Sequence, residues 1–134
     1  MPKRILIIDD EPFNVISLQL SFSRLGIKGL GRLVDRAYNG LDGLNLAKDA
    51  FMRGKHIYGL VITDISMPVM DGYEASQEIR DFYRQKNVPQ PMIIACTGHV
   101  EEQFIKKEWL SDIDEILPKP VNFEIFREIF GDII

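Results

Sequence analysis

A single cysteine, Cys96, stands among 134 residues, which excludes an internal disulfide and any zinc or iron–sulfur site built from several thiolates. No apolar run approaches the roughly 20 residues that cross a bilayer, and the first residues lack the pattern of a secretory signal. Positive charge is not in surplus either. Sixteen Lys and Arg face twenty Asp and Glu, a net charge of −4. Neither nucleic acid nor an anionic membrane is therefore expected as a partner, since both are met by a basic face. Linkers, low-complexity tracts and internal repeats are absent as well. What is present is 46% hydrophobic and 27% charged residues, enough apolar side chain for one core. The expectation is one soluble, cytoplasmic-type domain over residues 1–134.

Lys3-Arg4-Ile5-Leu6-Ile7-Ile8 is a short apolar run rich in β-branched residues, followed at once by acids. Similar runs lie at 59–63 and 92–96, a weaker one at 113–117, and a poorly alternating one at 32–38 that suits a position nearer an edge. Continuous apolarity predicts strands buried on both faces, as in a parallel sheet between helices. Helix-like periodicity occupies 13–25, 41–53, 73–84, 100–107 and 123–130. Strand and helix thus alternate five times, which implies right-handed crossovers and a doubly wound α/β fold.

The first helix carries two apolar stripes. Val15, Leu18, Phe22 and Leu25 form one, and Phe13, Ile16 and Leu20 form another almost opposite. One stripe suits the sheet. The other is either a docking face or the scattered apolarity of any protein surface.

Acidic residues fall just after the strands: Asp9-Asp10-Glu11 after the first and Asp64 after the third. Ligands in open α/β sheets bind at the carboxyl ends of strands, near the point where strand order reverses. If the first and third strands are neighbours there, Asp9, Asp10 and Asp64 converge. Crowded carboxylates raise one another's pKa, and a hard divalent cation relieves the repulsion. Oxygen-only ligands fit Mg²⁺. Thr97 follows the fourth strand, and Lys119 follows the fifth between Pro118 and Pro120. A hydroxyl, an ammonium and Mg²⁺ around one carboxylate make a cradle for a phosphoryl group, and a carboxylate can itself take that group covalently. Each residue alone reads more simply, since an acid at a strand end is commonly a helix cap or turn residue. Together, after four strands, they point to phosphoryl chemistry.

Four segments carry a resemblance: Ile7-Ile8-Asp9-Asp10-Glu11-Pro12, the stretch Thr63-Asp64-Ile65-Ser66-Met67-Pro68-Val69-Met70-Asp71-Gly72, then Ala95-Cys96-Thr97-Gly98, and Pro118-Lys119-Pro120. In these the chain resembles the receiver domains of two-component phosphorelay signalling, over nearly its whole length. The resemblance implies a flavodoxin-like five-stranded parallel sheet of order 2-1-3-4-5. It implies Asp64 as phosphoacceptor, with Asp10, Asp64 and the backbone carbonyl of Ser66 binding Mg²⁺ and Asp9 acting through a metal-bound water. Thr97 would hydrogen-bond one phosphoryl oxygen and Lys119 pair with another. The Lys119–Pro120 bond would be cis, and Asp71-Gly72 would shape the loop into the third helix.

Departures from the pattern carry information. Ile116 stands three residues before the lysine, where receivers usually place Tyr or Phe; it either weakens the conformational switch or simply fills core. Ser66 and His99 occupy positions that tune phosphoryl lifetime in the family, although His99 also reads as a surface residue. Cys96 reads as an inert small hydrophobe, Trp109 as core or hinge, and His56 as incidental.

The resemblance is greatest to the receiver of a hybrid sensor histidine kinase, through Asp10-Glu11-Pro12-Phe13-Asn14 and the spare stripe of the first helix. Its partners would be a histidine kinase, a histidine-containing phosphotransfer domain, or both, docking on Phe13, Ile16 and Leu20. Such a domain promotes its own phosphorylation and dephosphorylation and is not otherwise an enzyme. A stand-alone single-domain response regulator is the alternative within the class. An aspartyl-phosphate phosphohydrolase is the alternative outside it, but that fold carries its nucleophile after the first strand.

Overall fold

A computed structural model gives the architecture, and it describes residues 1–98 and 112–131. Strands β1 (Lys3–Ile8), β2 (Val34–Ala37), β3 (Ile57–Asp64), β4 (Met92–Thr97) and β5 (Glu115–Pro118) form one sheet. Helices α1 (Pro12–Arg24), α2 (Gly40–Met52), α3 (Gly72–Gln85) and α4 (Phe123–Gly131) connect or follow them. The strand order is β2-β1-β3-β4-β5, and every pair is parallel. The expected flavodoxin-like order is therefore observed. The helix expected at 100–107, His99 and Trp109 lie outside the described residues.

Strand periodicity sorts the core into two layers. Leu6 and Ile8 of β1 join Val61, Ile93 and Ala95 on the face covered by Leu44 and Ala47 of α2 and Ile79 and Tyr83 of α3. Ile5 and Ile7 join Leu60, Ile62, Ile94 and Leu117 on the other face, under Val15, Leu18 and Phe22 of α1 and Phe126 and Phe130 of α4. Successive side chains of a strand point to opposite faces, so each central strand feeds both layers. Phe22, Phe126 and Phe130 meet with ring centroids 4.4–5.2 Å apart, close enough for edge and tilted ring contacts to add to area burial. The chain passes from β1 outward to β2, then returns across β1 to β3, so strand order reverses between β1 and β3. That reversal opens the crevice where α/β sheets bind ligands.

Local chemistry sets the helix starts. Asp71 accepts from Glu74 N at 2.8 Å and caps α3. Asn39 caps α2 through Asp42 N at 2.8 Å, and Pro12 opens α1 behind Glu11. These side chains occupy backbone donors that have no partner within a helix. The run at 32–38 begins as a 3-10 turn, Leu30–Leu33, so β2 keeps only four residues, at the sheet edge. Ile116 packs against the core on the α2–α3 side, which supports the space-filling reading. No described helix is long and apolar enough to cross a membrane.

Two polar clusters tie down the amino end of the sheet. The Arg4 guanidinium donates to both oxygens of Asp35 (2.8 and 3.0 Å), and the Tyr58 hydroxyl donates to Asp35 at 2.7 Å. The Tyr83 hydroxyl accepts from Tyr58 N at 2.8 Å. Arg80, buried on α3, donates to the Asp112 carbonyl, Gln90, the Pro91 carbonyl and Asp114 at 2.9–3.1 Å. It thereby clamps α3 to the entries of β4 and β5. Such charge-assisted bonds are worth about 1.5–3 kcal/mol each when their loss strands a buried partner.

His56 is not incidental. Its ring packs edge-on against Tyr58, centroids 5.1 Å apart, with Nε2 3.4 Å from Asp35 Oδ2 and no hydrogen bond made. Burial holds the imidazole below its usual range, outweighing the pull of Asp35, and Arg4 adds to the depression. The unfolded chain thus binds that proton more readily than the folded one. Stability is predicted to fall as pH drops through about 6.5. His56→Phe is predicted to flatten that slope, read from urea midpoints between about pH 7 and pH 5.5.

Candidate functional site

Register builds the site. Ile8 pairs with Thr63, so Asp9 comes level with Asp64 where β1 and β3 end. Asp64 pairs with Cys96, and Thr97 with Pro118, so Thr97 and Lys119 arrive at the same edge. Asp64 and Thr97 are the last residues of their strands and do not follow them, a shift of one residue from the sequence reading. Asp9, Asp10 and Asp64 each offer a carboxylate oxygen within 4.8 Å of the others. Lys119 Nζ reaches back across β4 and β3 to Asp9 Oδ2 at 2.9 Å and Asp64 Oδ1 at 3.3 Å.

The carboxylates differ in surroundings. Asp9 is buried, and its other oxygen accepts from Glu11 N at 2.9 Å. Asp64 is half-buried, and its Oδ1 accepts from Ile65 N at 2.8 Å. Asp10 is exposed. Burial pushes the Asp64 carboxyl above its ordinary range; Lys119 opposes this and Asp9 reinforces it. Burial alone would lower the Lys119 ammonium, but the hydrogen bond and charge of Asp9, with Asp64, hold it above its ordinary value. Cys96, next to this cluster, is pushed up to about 12 by burial and stays an unreactive thiol.

Thr97 is buried at the end of β4, and its carbonyl accepts from Lys119 N at 2.8 Å, which fixes the turn that presents the lysine. The Lys119–Pro120 peptide is cis. Ser66 is exposed at the start of the loop between β3 and α3. Gly72 closes that loop: its N–H donates to the Ile65 carbonyl at 2.8 Å, and a Cβ there would collide with the Asp64 carbonyl oxygen. Within the loop, Val69 has φ +75°, and Met70 N donates to the Pro68 carbonyl at 2.9 Å across it. This is a γ-turn with a positive-φ centre, a conformation that costs a β-branched residue about 1–3 kcal/mol. Sequence reasoning missed it, since Gly or Asn would be the signal and Val is neither.

A family model for the response regulator receiver domain matches residues 5–130. The chain belongs to this family. Among relatives of this receiver, the sensor histidine kinase CheAY of Helicobacter pylori is 33% identical over 125 residues, 93% of this chain and 14% of the kinase. A chain in the co-crystal structure of the Saccharomyces cerevisiae phosphotransfer protein Ypd1 and the receiver domain of Ssk1 is 26% identical. It superposes with a TM-score of 0.77 over 98% of this receiver and 88% of that chain. The Mg²⁺-complexed receiver domain of the histidine kinase CKI1 from Arabidopsis thaliana is 28% identical, with a TM-score of 0.73 over 95% of this receiver and 91% of that one. The chain spans 7–14% of the length of the curated histidine kinases it matches.

The receiver's acidic cluster has a thermodynamic consequence. A carboxyl whose folded pKa is raised contributes stability below its unfolded value, about pH 3.8 for Asp64, and loses it as pH rises through the folded value. Asp64→Asn is therefore predicted to melt above the wild type near neutral pH in divalent-free buffer. Thermal scans should show the difference closing as the pH drops below about 4.

Proposed function

We propose that this receiver accepts a phosphoryl group on Asp64 from a phosphohistidine of a partner protein, within the phosphorelay of a hybrid histidine kinase. The observation that carries this reading is the convergence of Asp9, Asp10 and Asp64 within 4.8 Å, spanned by the Lys119 ammonium. In the transfer, an Asp64 oxygen bonds to phosphorus while the N–P bond of the phosphohistidine breaks. The imidazole leaves with that electron pair, and the acceptor becomes an acyl phosphate. Lys119 lies ready to pair with one phosphoryl oxygen, and the Thr97 hydroxyl serves another. Positioning and charge neutralisation are most of what such a transfer asks of a protein.

Among the described residues the donor set Asp9, Asp10 and Asp64 consists of oxygens and fits Mg²⁺. Asp10, Asp64 and the Ser66 carbonyl would hold the ion. Asp9, already engaged by Lys119 and Glu11 N, would act through a metal-bound water. The ion would supply neutralisation of the carboxylate and phosphoryl charges. The chain would thereby promote its own phosphorylation and dephosphorylation, on the cytoplasmic side of its parent kinase.

The partner would dock on α1. Phe13, Ile16 and Leu20 are exposed on one side of the helix, while Val15, Leu18 and Phe22 are buried on the other. An exposed apolar stripe beside a reactive edge is a recognition surface for a helical partner.

Intact-mass analysis after incubation with acetyl phosphate and Mg²⁺ tests the chemistry. One phosphoryl adduct on wild type is expected, absent from Asp64→Asn and lost with EDTA; an adduct persisting on Asp64→Asn would contradict the assignment. Ile16→Asp is expected to slow transfer from a phosphohistidine protein about tenfold or more while leaving acetyl phosphate labelling intact.

A further inference from the structure

We propose that the free edge of β2, with α2 as a wall beside it, is a docking groove for an extended acidic segment of a partner protein, which adds a strand to the sheet. It stands whether or not Asp64 accepts a phosphoryl group. β2 is the outermost strand on its side and pairs with β1 alone. The Ala37 carbonyl faces β1, where it accepts from Asp9 N at 3.1 Å. Backbone groups alternate in direction along a strand, so the Arg36 N–H and carbonyl point out of the free edge, ready to pair with another strand.

A groove of about 710 Å³ lies between this edge and α2. Arg36 and Tyr38 line it from the strand side, and Leu46 and Met52 line it from the helix. Tyr38, Leu46 and Met52 are exposed, Met52 by 65%, and none belongs to either core layer. An edge strand beside an apolar helix wall offers main-chain hydrogen bonds for affinity and side-chain contacts for selectivity.

Charge names the occupant. Of the acids in the groove, Asp42 is engaged by the Asn39 amide at 3.0 Å and Asp49 by Arg53 at 3.1 Å. Lys48 turns to the Phe82 ring, its ammonium 5.8 Å from the centroid. Arg36 is exposed and pairs with no acid among the described residues. Val34 belongs to the layer under α1 and Ala37 to the layer under α2 and α3, so alternation sets the Arg36 side chain on the α1 side. An incoming strand that carries an acid opposite Arg36 turns its neighbouring residues toward Leu46 and Met52, where apolar side chains fit. A second copy of this chain does not match. Antiparallel pairing of two β2 edges sets Arg36 against Arg36 or, in the next register, Asp35 against Asp35.

The test titrates the chain with a blocked, fluorescein-labelled peptide of alternating valine and glutamate, and with its counterpart carrying lysine for glutamate, followed by anisotropy. Saturable micromolar binding of the glutamate peptide is expected, with the lysine peptide about tenfold or more weaker. Arg36→Glu should invert that preference, and Met52→Ser should weaken the glutamate peptide about fivefold. Both variants should keep the wild-type circular dichroism spectrum. Amide exchange followed by NMR should show the Arg36 N–H slowed by the peptide, while the Asp35 and Ala37 N–H groups, already turned to β1, stay unchanged. No saturable binding up to about 1 mM would overturn the proposal and leave β2 as a short charged edge that repels other strands. So would an unchanged preference in Arg36→Glu, an Arg36 N–H left unprotected in the bound state, or a dimer of the chain that pairs β2 with β2.

Discussion

Repulsion among Asp9, Asp10 and Asp64 is the constraint around which the carboxyl edge of the sheet is arranged. Three carboxylates, each with an oxygen within 4.8 Å of the others, crowd like charge at this edge. The Lys119 ammonium, delivered from β5 across two strands, meets Asp9 and Asp64 together. It leaves the cluster net negative and suited to a divalent cation. Burial, reinforced by the charge of Asp9, keeps the Asp64 carboxyl above its ordinary range. The proposed acceptor site is therefore also a place where the fold gives up stability.

The opposite edge of the sheet does the reverse. There Asp35 is met by Arg4 and Tyr58, whose hydrogen bonds outweigh burial and hold its carboxyl below the usual range. Arg80 satisfies four acceptors around the entries of β4 and β5. Between the two edges lies a doubly covered apolar sheet whose central strands, β1 and β3, carry the acids at their ends. Paired charge at the amino end anchors the strands, while at the carboxyl end three carboxylates share one ammonium. The candidate site is thus placed on strand termini and on loops closed by Gly72 and by the turn at Val69.

The fold was legible because buried strands leave continuous apolar runs, and the acids after them stand out against those runs. Asp9, Asp10, Asp64, Thr97 and Lys119 could be picked out before their register was known, and the structure brings all five to one edge. Strand ends were less legible: Asp64 and Thr97 belong to their strands, and Arg32 and Leu33 to a turn. The anchoring clusters left no local trace, because Arg4 meets Asp35 and Arg80 meets Asp114 across more than thirty residues with no periodicity to betray them. His56 looked incidental for the same reason, its partners being two strands of the folded sheet. The Val69 turn was invisible because its residue type argues against its own backbone conformation.

The central claim is that the carboxyl edge is a preformed, Mg²⁺-dependent phosphoryl site centred on Asp64. Fluorine NMR of the wild type with beryllofluoride and Mg²⁺ tests it most directly, because beryllofluoride adds to the acceptor as a phosphoryl mimic without needing a partner or a leaving group. A saturable protein-bound signal is predicted that vanishes with EDTA and in Asp64→Asn. A bound signal that survives in Asp64→Asn, or no bound signal at saturating Mg²⁺, would contradict it.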